Sequence, residues 1–184
     1  MYLRGDMNVD FLITEGESHI TRARNNIAAT FLKETEYDHL AFIDADIELN
    51  SDDFYRLAQM DGVRGAAVAC KTPDFSERLS IYVDGGVPRR AHMPREPFPV
   101  DFLGSAVLFI SRKVLEHLRA SEAVSQYHDP IIGRAWDFFR DGVIDDFWAS
   151  EDYGFCKLLR DHDIEIVCDP AIRVKHYGST FWSH

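Results

Sequence analysis

Short unbroken apolar runs alternate with stretches whose apolar residues recur at helical spacing, and that alternation predicts an α/β domain. The strand candidates are Val9 to Ile13, Leu40 to Ile43, Val63 to Cys70, Val100 to Leu103, Ala106 to Ile110, Ile164 to Cys168 and Ile172 to Lys175. Ser18 or Thr21 can cap a first helix that carries Ile20, Ala23, Ile27 and Phe31 on one face and ends before Tyr37. Ser51, with Asp52 and Asp53 in the first turn, opens a second helix through Met60. A third runs from Ser111 to about Arg119, and a fourth, capped by Ser150, buries Phe155, Cys156 and Leu159.

One strand changes character at its end. Leu40 to Ile43 runs straight into Asp44-Ala45-Asp46, as a buried central strand does when its carboxyl end opens into a site. Side chains at i and i+2 of an extended chain point the same way, so both carboxylates can face one divalent cation if the extension continues through them. A turn, in which Asp44 caps and Asp46 is solvated, suits the same tripeptide. Both readings stand at this point.

Other segments add candidate chemistry. Arg22 and Arg24 lie near the start of the first helix, where a nearby anion explains positive charge better than the helix dipole does. Residues 71–99 hold five prolines, a Gly85-Gly86 pair and Arg89, Arg90 and Arg95, and predict a long functional loop with one hairpin around Leu79 to Val83. Gly104-Ser105 hinges two short strands and lets a ligand approach the backbone. Residues 121–149 mix aromatic rings with carboxylates, which suits either core packing or a carbohydrate acceptor surface. Glu151 and Asp152 occupy a helix first turn, and His176 ends a strand, where a neutral imidazole can bind a metal.

Size and charge narrow these options. At 184 residues and 21.1 kDa the chain suits a single domain over 1–184, able to bury about 70% of its unfolded surface. A formal net charge of −11 opposes non-specific binding to nucleic acid or anionic lipid. Cys70, Cys156 and Cys168 lack Cys-x-x-Cys spacing and sit in apolar segments, the setting of buried thiols. With no apolar stretch of about 20 residues and no signal-peptide pattern, the expectation is a cytoplasmic protein, able to meet a membrane-bound acceptor or partner.

Four ordered blocks then resemble the metal-dependent GT-A glycosyltransferases, in the neighbourhood of glycosyltransferase family 2. They are "SHITRARN" from Ser18, "FIDAD" from Phe42, "FLGSAVLFI" from Phe102, and "SEDYGFC" from Ser150, completed by "DPAIRVKHYG" ending at Gly178. The resemblance spans about Val9 to Gly178 and implies a Rossmann-like three-layer α/β/α sandwich with a mixed, mostly parallel central sheet. It implies transfer of a hexose from a UDP- or GDP-linked sugar to a hydroxyl of a carbohydrate, glycoconjugate or small-molecule acceptor, with a lean towards inversion. Asp44 and Asp46 would be the DXD motif, holding Mn²⁺ or Mg²⁺ together with His176. Asp46 is the stronger candidate for direct ligation, and Asp44 for the ribose or a metal-bound water. Ser18 and Arg24 would lie beside the nucleotide, with Gly104 and Ser105 also on the donor side. Asp152, ahead of Glu151, matches the acceptor-activating base. Relatives carry a strand, loop and helix ahead of the first block; here 17 residues precede Ser18, and the expectation is a chain without that first unit.

Two other readings compete. A non-catalytic sugar- or nucleotide-binding module would keep the blocks without turnover. A phosphatase with an Asp-x-Asp nucleophile and acid would place Thr or Val where Glu48 stands. A calcium loop fails, because Leu49 and Tyr55 occupy the positions of its glycine and its bidentate glutamate.

Overall fold

The computed structural model describes residues 7–69, 78–84, 86 and 92–178. Four helices, α1 (Ile20–Glu34), α2 (Ser51–Ala58), α3 (Arg112–Ala120) and α4 (Glu151–Asp161), alternate with short strands. Five strands form the central sheet: β1 (His39–Ile43), β3 (Val63–Gly65), β5 (Phe98–Pro99), β7 (Val107–Ser111) and β12 (Ile166–Cys168). Four ribbons surround it. They pair β2 (Ile47–Leu49) with β13 (Val174–His176), β4 (Ile81–Tyr82) with β6 (Phe102–Leu103), β8 (Gln126–Asp129) with β9 (Gly133–Trp136), and β10 (Gly142–Ile144) with β11 (Phe147–Ala149). Among the described residues no helix is long and apolar enough to cross a membrane.

The central sheet is mixed, in order β1-β7-β3-β12-β5, but it is not mostly parallel. Among the described residues only β3 and β12 pair in parallel. β7 inserts antiparallel between β1 and β3, and β5 lies antiparallel on β12. β1, β3 and β12 nevertheless point one way, so their carboxyl ends share an edge of the sheet with the amino end of β7. Apolar runs reveal burial but not direction, which is why the pairing differs from the expectation.

β7 is apolar from Val107 to Ile110 because it is covered on both faces. Leu108 and Ile110 enter a core with Ala28 and Phe31 of α1, Leu115 and Leu118 of α3, and Phe155 and Leu159 of α4. Val107 and Phe109 enter a second core with Phe54 and Leu57 of α2. Each such side chain contributes about 1.5–3 kcal/mol on burial. Gly65 permits the close approach of β3 to β7, since a Cβ there would lie 2.1 Å from the Val107 carbonyl oxygen.

Several local expectations shift. Val9 to Ile13 forms no strand, and Phe11, Leu12 and Ile13 are exposed. The first helix is capped by His19 without a side-chain bond, so neither Ser18 nor Thr21 caps it. Its buried face is Ala23, Arg24, Asn25, Ala28, Ala29 and Phe31, whereas Ile20 is exposed. Asn50 rather than Ser51 caps α2, accepting from the Asp53 N–H at 2.8 Å. The Val63 to Cys70 run is a strand only to Gly65. Cys70, Gly85, Arg89 and Arg90 lie outside the described residues.

α1 is anchored by polar groups that periodicity does not reveal. The Asn25 amide donates to the Phe139 carbonyl at 2.9 Å and accepts the Phe139 N–H at 2.8 Å. Arg22 Nε donates to Asp129 Oδ2 at 2.8 Å, and the Ile131 and Ile132 amides donate to Oδ1. The Arg22 guanidinium, helped by those amides and opposed by burial, holds the Asp129 carboxyl well below the usual carboxylate range. A depressed folded-state pKa contributes stability above the unfolded value of about 3.9, and that stability is lost as pH falls further towards the folded value. Asp129→Asn is therefore expected to lower Tm at neutral pH and to flatten its fall below about pH 4. Parallel Tm-against-pH curves for the two proteins would exclude this role.

Candidate functional site

β1 delivers Asp44 to the carboxyl edge of the sheet, where its N–H donates to the Ala106 carbonyl at 3.0 Å. Extension stops there. The Ile47 N–H donates back to the Asp44 carbonyl at 3.0 Å, closing a turn over Asp44 to Ile47. The two aspartates therefore do not share the i, i+2 geometry of a strand. Asp44 is engaged by Arg24, and Asp46 by His176.

The β2–β13 ribbon makes the second contact. Its register sets His176 opposite Ile47, and the Tyr177 N–H donates to the Asp46 carbonyl at 2.8 Å. His176 Nδ1 lies 2.7 Å from the Ala69 carbonyl, which can only accept, so Nδ1 carries a proton and Nε2 is the ring nitrogen left to bind a metal. That Nε2 is 3.4 Å from Asp46 Oδ2. An oriented imidazole beside a carboxylate is a fitting pair of donors for Mn²⁺ or Mg²⁺. Among the described residues no cluster of three or more His, Cys, Asp or Glu side chains is assembled to hold a metal. Phosphate oxygens and water would complete such a shell, which is how Mg²⁺ is commonly bound.

Facing this pair is an acidic helix start. Glu151 and Asp152 open α4, where carboxylates suit the helix dipole. Asp152 Oδ1 accepts from the Ser150 hydroxyl and from the Tyr153 N–H. Gly154 lets this helix lie against the preceding loop, because a Cβ there would be 2.1 Å from the Arg140 carbonyl oxygen. Burial, and after it the Asp152 carboxylate, pushes the Glu151 carboxyl up, with Arg24 opposing.

Arg24 joins the two halves. It is 5% exposed, donates from Nε to Glu151 at 3.2 Å and from Nη2 to Asp44 at 3.1 Å, and stands over the Phe42 ring at 5.1 Å. The anions that explain both arginines of α1 are thus carboxylates of the chain itself: Glu17 and Asp129 for Arg22, Asp44 and Glu151 for Arg24.

A cavity of about 230 Å³ collects Arg24, Asp44, Gly104, Ser105, Glu151, Asp152 and His176. Asp46 does not line it but lies 3.4 Å from His176 Nε2, which does. Ser18, although expected beside the nucleotide, is exposed ahead of α1 and does not line the cavity. Gly104 does line it, but its missing side chain has a structural cause: a Cβ would be 2.7 Å from Ser80 Cβ. Arg95 is exposed and away from the cavity. Sequence reasoning missed Ser80, Val68 and the Ala69 carbonyl, which reach the cavity through the β4–β6 pairing and the irregular chain after β3. Cys156 and Cys168 are buried free thiols, pushed up to about 12 and about 11 by burial.

No protein-family profile matches the sequence, and no curated protein matches it. Solved structures do share its architecture. One is A197 from STIV, with a TM-score of 0.54 and 19% identity, covering 89% of this chain and 70% of that one. The likeness extends through most of both chains and establishes a common mixed α/β fold.

Proposed function

We propose that the protein is a metal-dependent glycosyltransferase of GT-A type, a three-layer α/β/α domain that moves a hexose from a UDP- or GDP-linked sugar to an acceptor hydroxyl. The observation that carries this reading is the convergence of Asp44, the Asp46–His176 pair and the Glu151–Asp152 helix start around one cavity at the carboxyl edge of the sheet. Open α/β sheets bind their ligands at that edge.

Asp46 and His176 Nε2 would hold Mn²⁺ or Mg²⁺ against the donor diphosphate. Bound there, the cation would neutralise charge developing on the leaving nucleoside diphosphate. Asp44, steadied by Arg24, faces the same cavity and orients the donor through a hydroxyl or a bound water. Asp152 takes the proton of the acceptor hydroxyl as it attacks the anomeric carbon, which gives inversion. Among the described residues its hydrogen bonds fall on Oδ1, which leaves Oδ2 to take the proton. Glu151 is braced by Arg24 and positions its neighbour.

Thermal unfolding tests the reading. Mn²⁺ with UDP or GDP is expected to raise Tm by more than the separate shifts combined, because cation and diphosphate complete one another's site. Absence of any nucleotide-dependent shift with either metal would overturn it.

A further inference from the structure

Four aromatic rings form a chain of contacts beside the cavity, buried at Phe102 and exposed at both ends. Tyr82 of β4 packs on Phe102 of β6 at 5.6 Å between centroids, Phe102 on Tyr153 of α4 at 5.7 Å, and Tyr153 on Phe147 of β11 at 4.9 Å. Three elements that build the cavity also build this strip. Ser80 and Gly104 line the cavity, and two residues further along the same paired strands stand Tyr82 and Phe102. Asp152 lines it too, and Tyr153 is the next residue.

Core packing explains the inner pair but not the outer one. Phe102 is buried, whereas Tyr82 is 44% and Phe147 43% exposed, so both ends of the strip offer ring surface to solvent. The β10–β11 turn holds Asp145 and Asp146 at positive φ of 50° and 67°, the two-residue hairpin geometry that fixes Phe147 against Tyr153. Trp148 and its partner Val143 stand on the opposite face of that hairpin and are not part of the strip.

Charge narrows the occupant. Asp101, Asp146 and Asp152 immediately precede Phe102, Phe147 and Tyr153 in the chain, and the net charge is −11. Rings stack on the C–H faces of sugars while carboxylates accept from their hydroxyls. The net charge of −11 opposes uronic acids, phosphosugars and anionic lipid. We infer that the strip Tyr82–Phe102–Tyr153–Phe147 is the acceptor-binding surface, and that the acceptor is an uncharged oligosaccharide laid along more than one ring with its reactive hydroxyl at Asp152. This assignment of acceptor class rests on the transferase reading, but the strip itself can be tested separately.

The full chain is titrated, with saturation-transfer NMR as readout, with chitotriose, cellotriose, maltotriose and mannotriose, with trigalacturonate as the anionic control. Equimolar phosphatidylcholine and phosphatidylglycerol vesicles serve in a sedimentation arm. At least one neutral trisaccharide is expected to bind, and Tyr82→Ala and Phe147→Ala are each expected to weaken it about tenfold or more. Both variants should retain the Mn²⁺–UDP or Mn²⁺–GDP shift in Tm, which reports that they fold. No neutral trisaccharide binding, binding unaffected by both variants, preference for trigalacturonate, or vesicle binding through these rings would each overturn the inference. Trisaccharide binding without any metal–nucleotide shift would instead retain the strip and overturn the transferase reading.

Discussion

On the proposed function, Asp46→Ala is expected to abolish the joint Mn²⁺–nucleotide increase in Tm and to lower the proposed sugar transfer by roughly a thousandfold or more, the scale of losing metal and electrostatic stabilisation of a leaving diphosphate. The substitution removes the carboxylate 3.4 Å from His176 Nε2. It spares the Asp46 carbonyl that accepts the Tyr177 N–H at 2.8 Å, so the β2–β13 ribbon keeps its register. The Asp46 side chain is about half exposed, and the change in intrinsic stability should stay within about 0.5 kcal/mol. Calorimetric or fluorescence melting with and without Mn²⁺ and UDP or GDP, beside a donor-turnover assay, separates the two effects. A variant that kept the joint shift would remove Asp46 from the proposed metal site.

Gly65→Ala is expected to be the most damaging small substitution in the sheet. Its new Cβ would lie 2.1 Å from the Val107 carbonyl oxygen and 3.0 Å from Leu103 Cδ2. That carbonyl already accepts the Ala66 N–H at 3.2 Å, and although the Leu103 side chain can shift, the Val107 backbone cannot yield without moving the strand. Separating β3 from β7 at this point should cost about 4 kcal/mol, a fall in Tm of roughly 8–16 °C for a domain of this size. The damage would reach the site, because β7 begins next to Gly104, Ser105 and Ala106 at the cavity wall. An unchanged Tm would mean that the two strands do not approach as described.

Much of the element order is legible in the sequence because it follows from local rules. The helix of "SEDYGFC" starts after Ser150 and buries Phe155, Cys156 and Leu159 as its spacing requires. The third helix runs Arg112–Ala120 behind Ser111, and the glycine hinge separates β6 from β7 as expected. Val9 to Ile13 shows the limit of the same rules: its apolar run satisfies strand propensity, yet it joins no sheet, and propensity contains no term for a pairing partner.

What the sequence by itself determined, then, is which short-range elements form and which residue types stand at their ends: an apolar strand running into Asp44, an acidic pair opening α4, a histidine closing the last strand. What only the tertiary structure decided is who meets whom. Strand direction depends on neighbours far along the chain, so the antiparallel insertion of β7 between β1 and β3 was not legible. The turn after Ile43 hands Asp44 to Arg24 and Asp46 to His176, contacts spanning 20 and 130 residues. Such pairings are set by packing and by satisfying buried charge, which have no period in the sequence to be read.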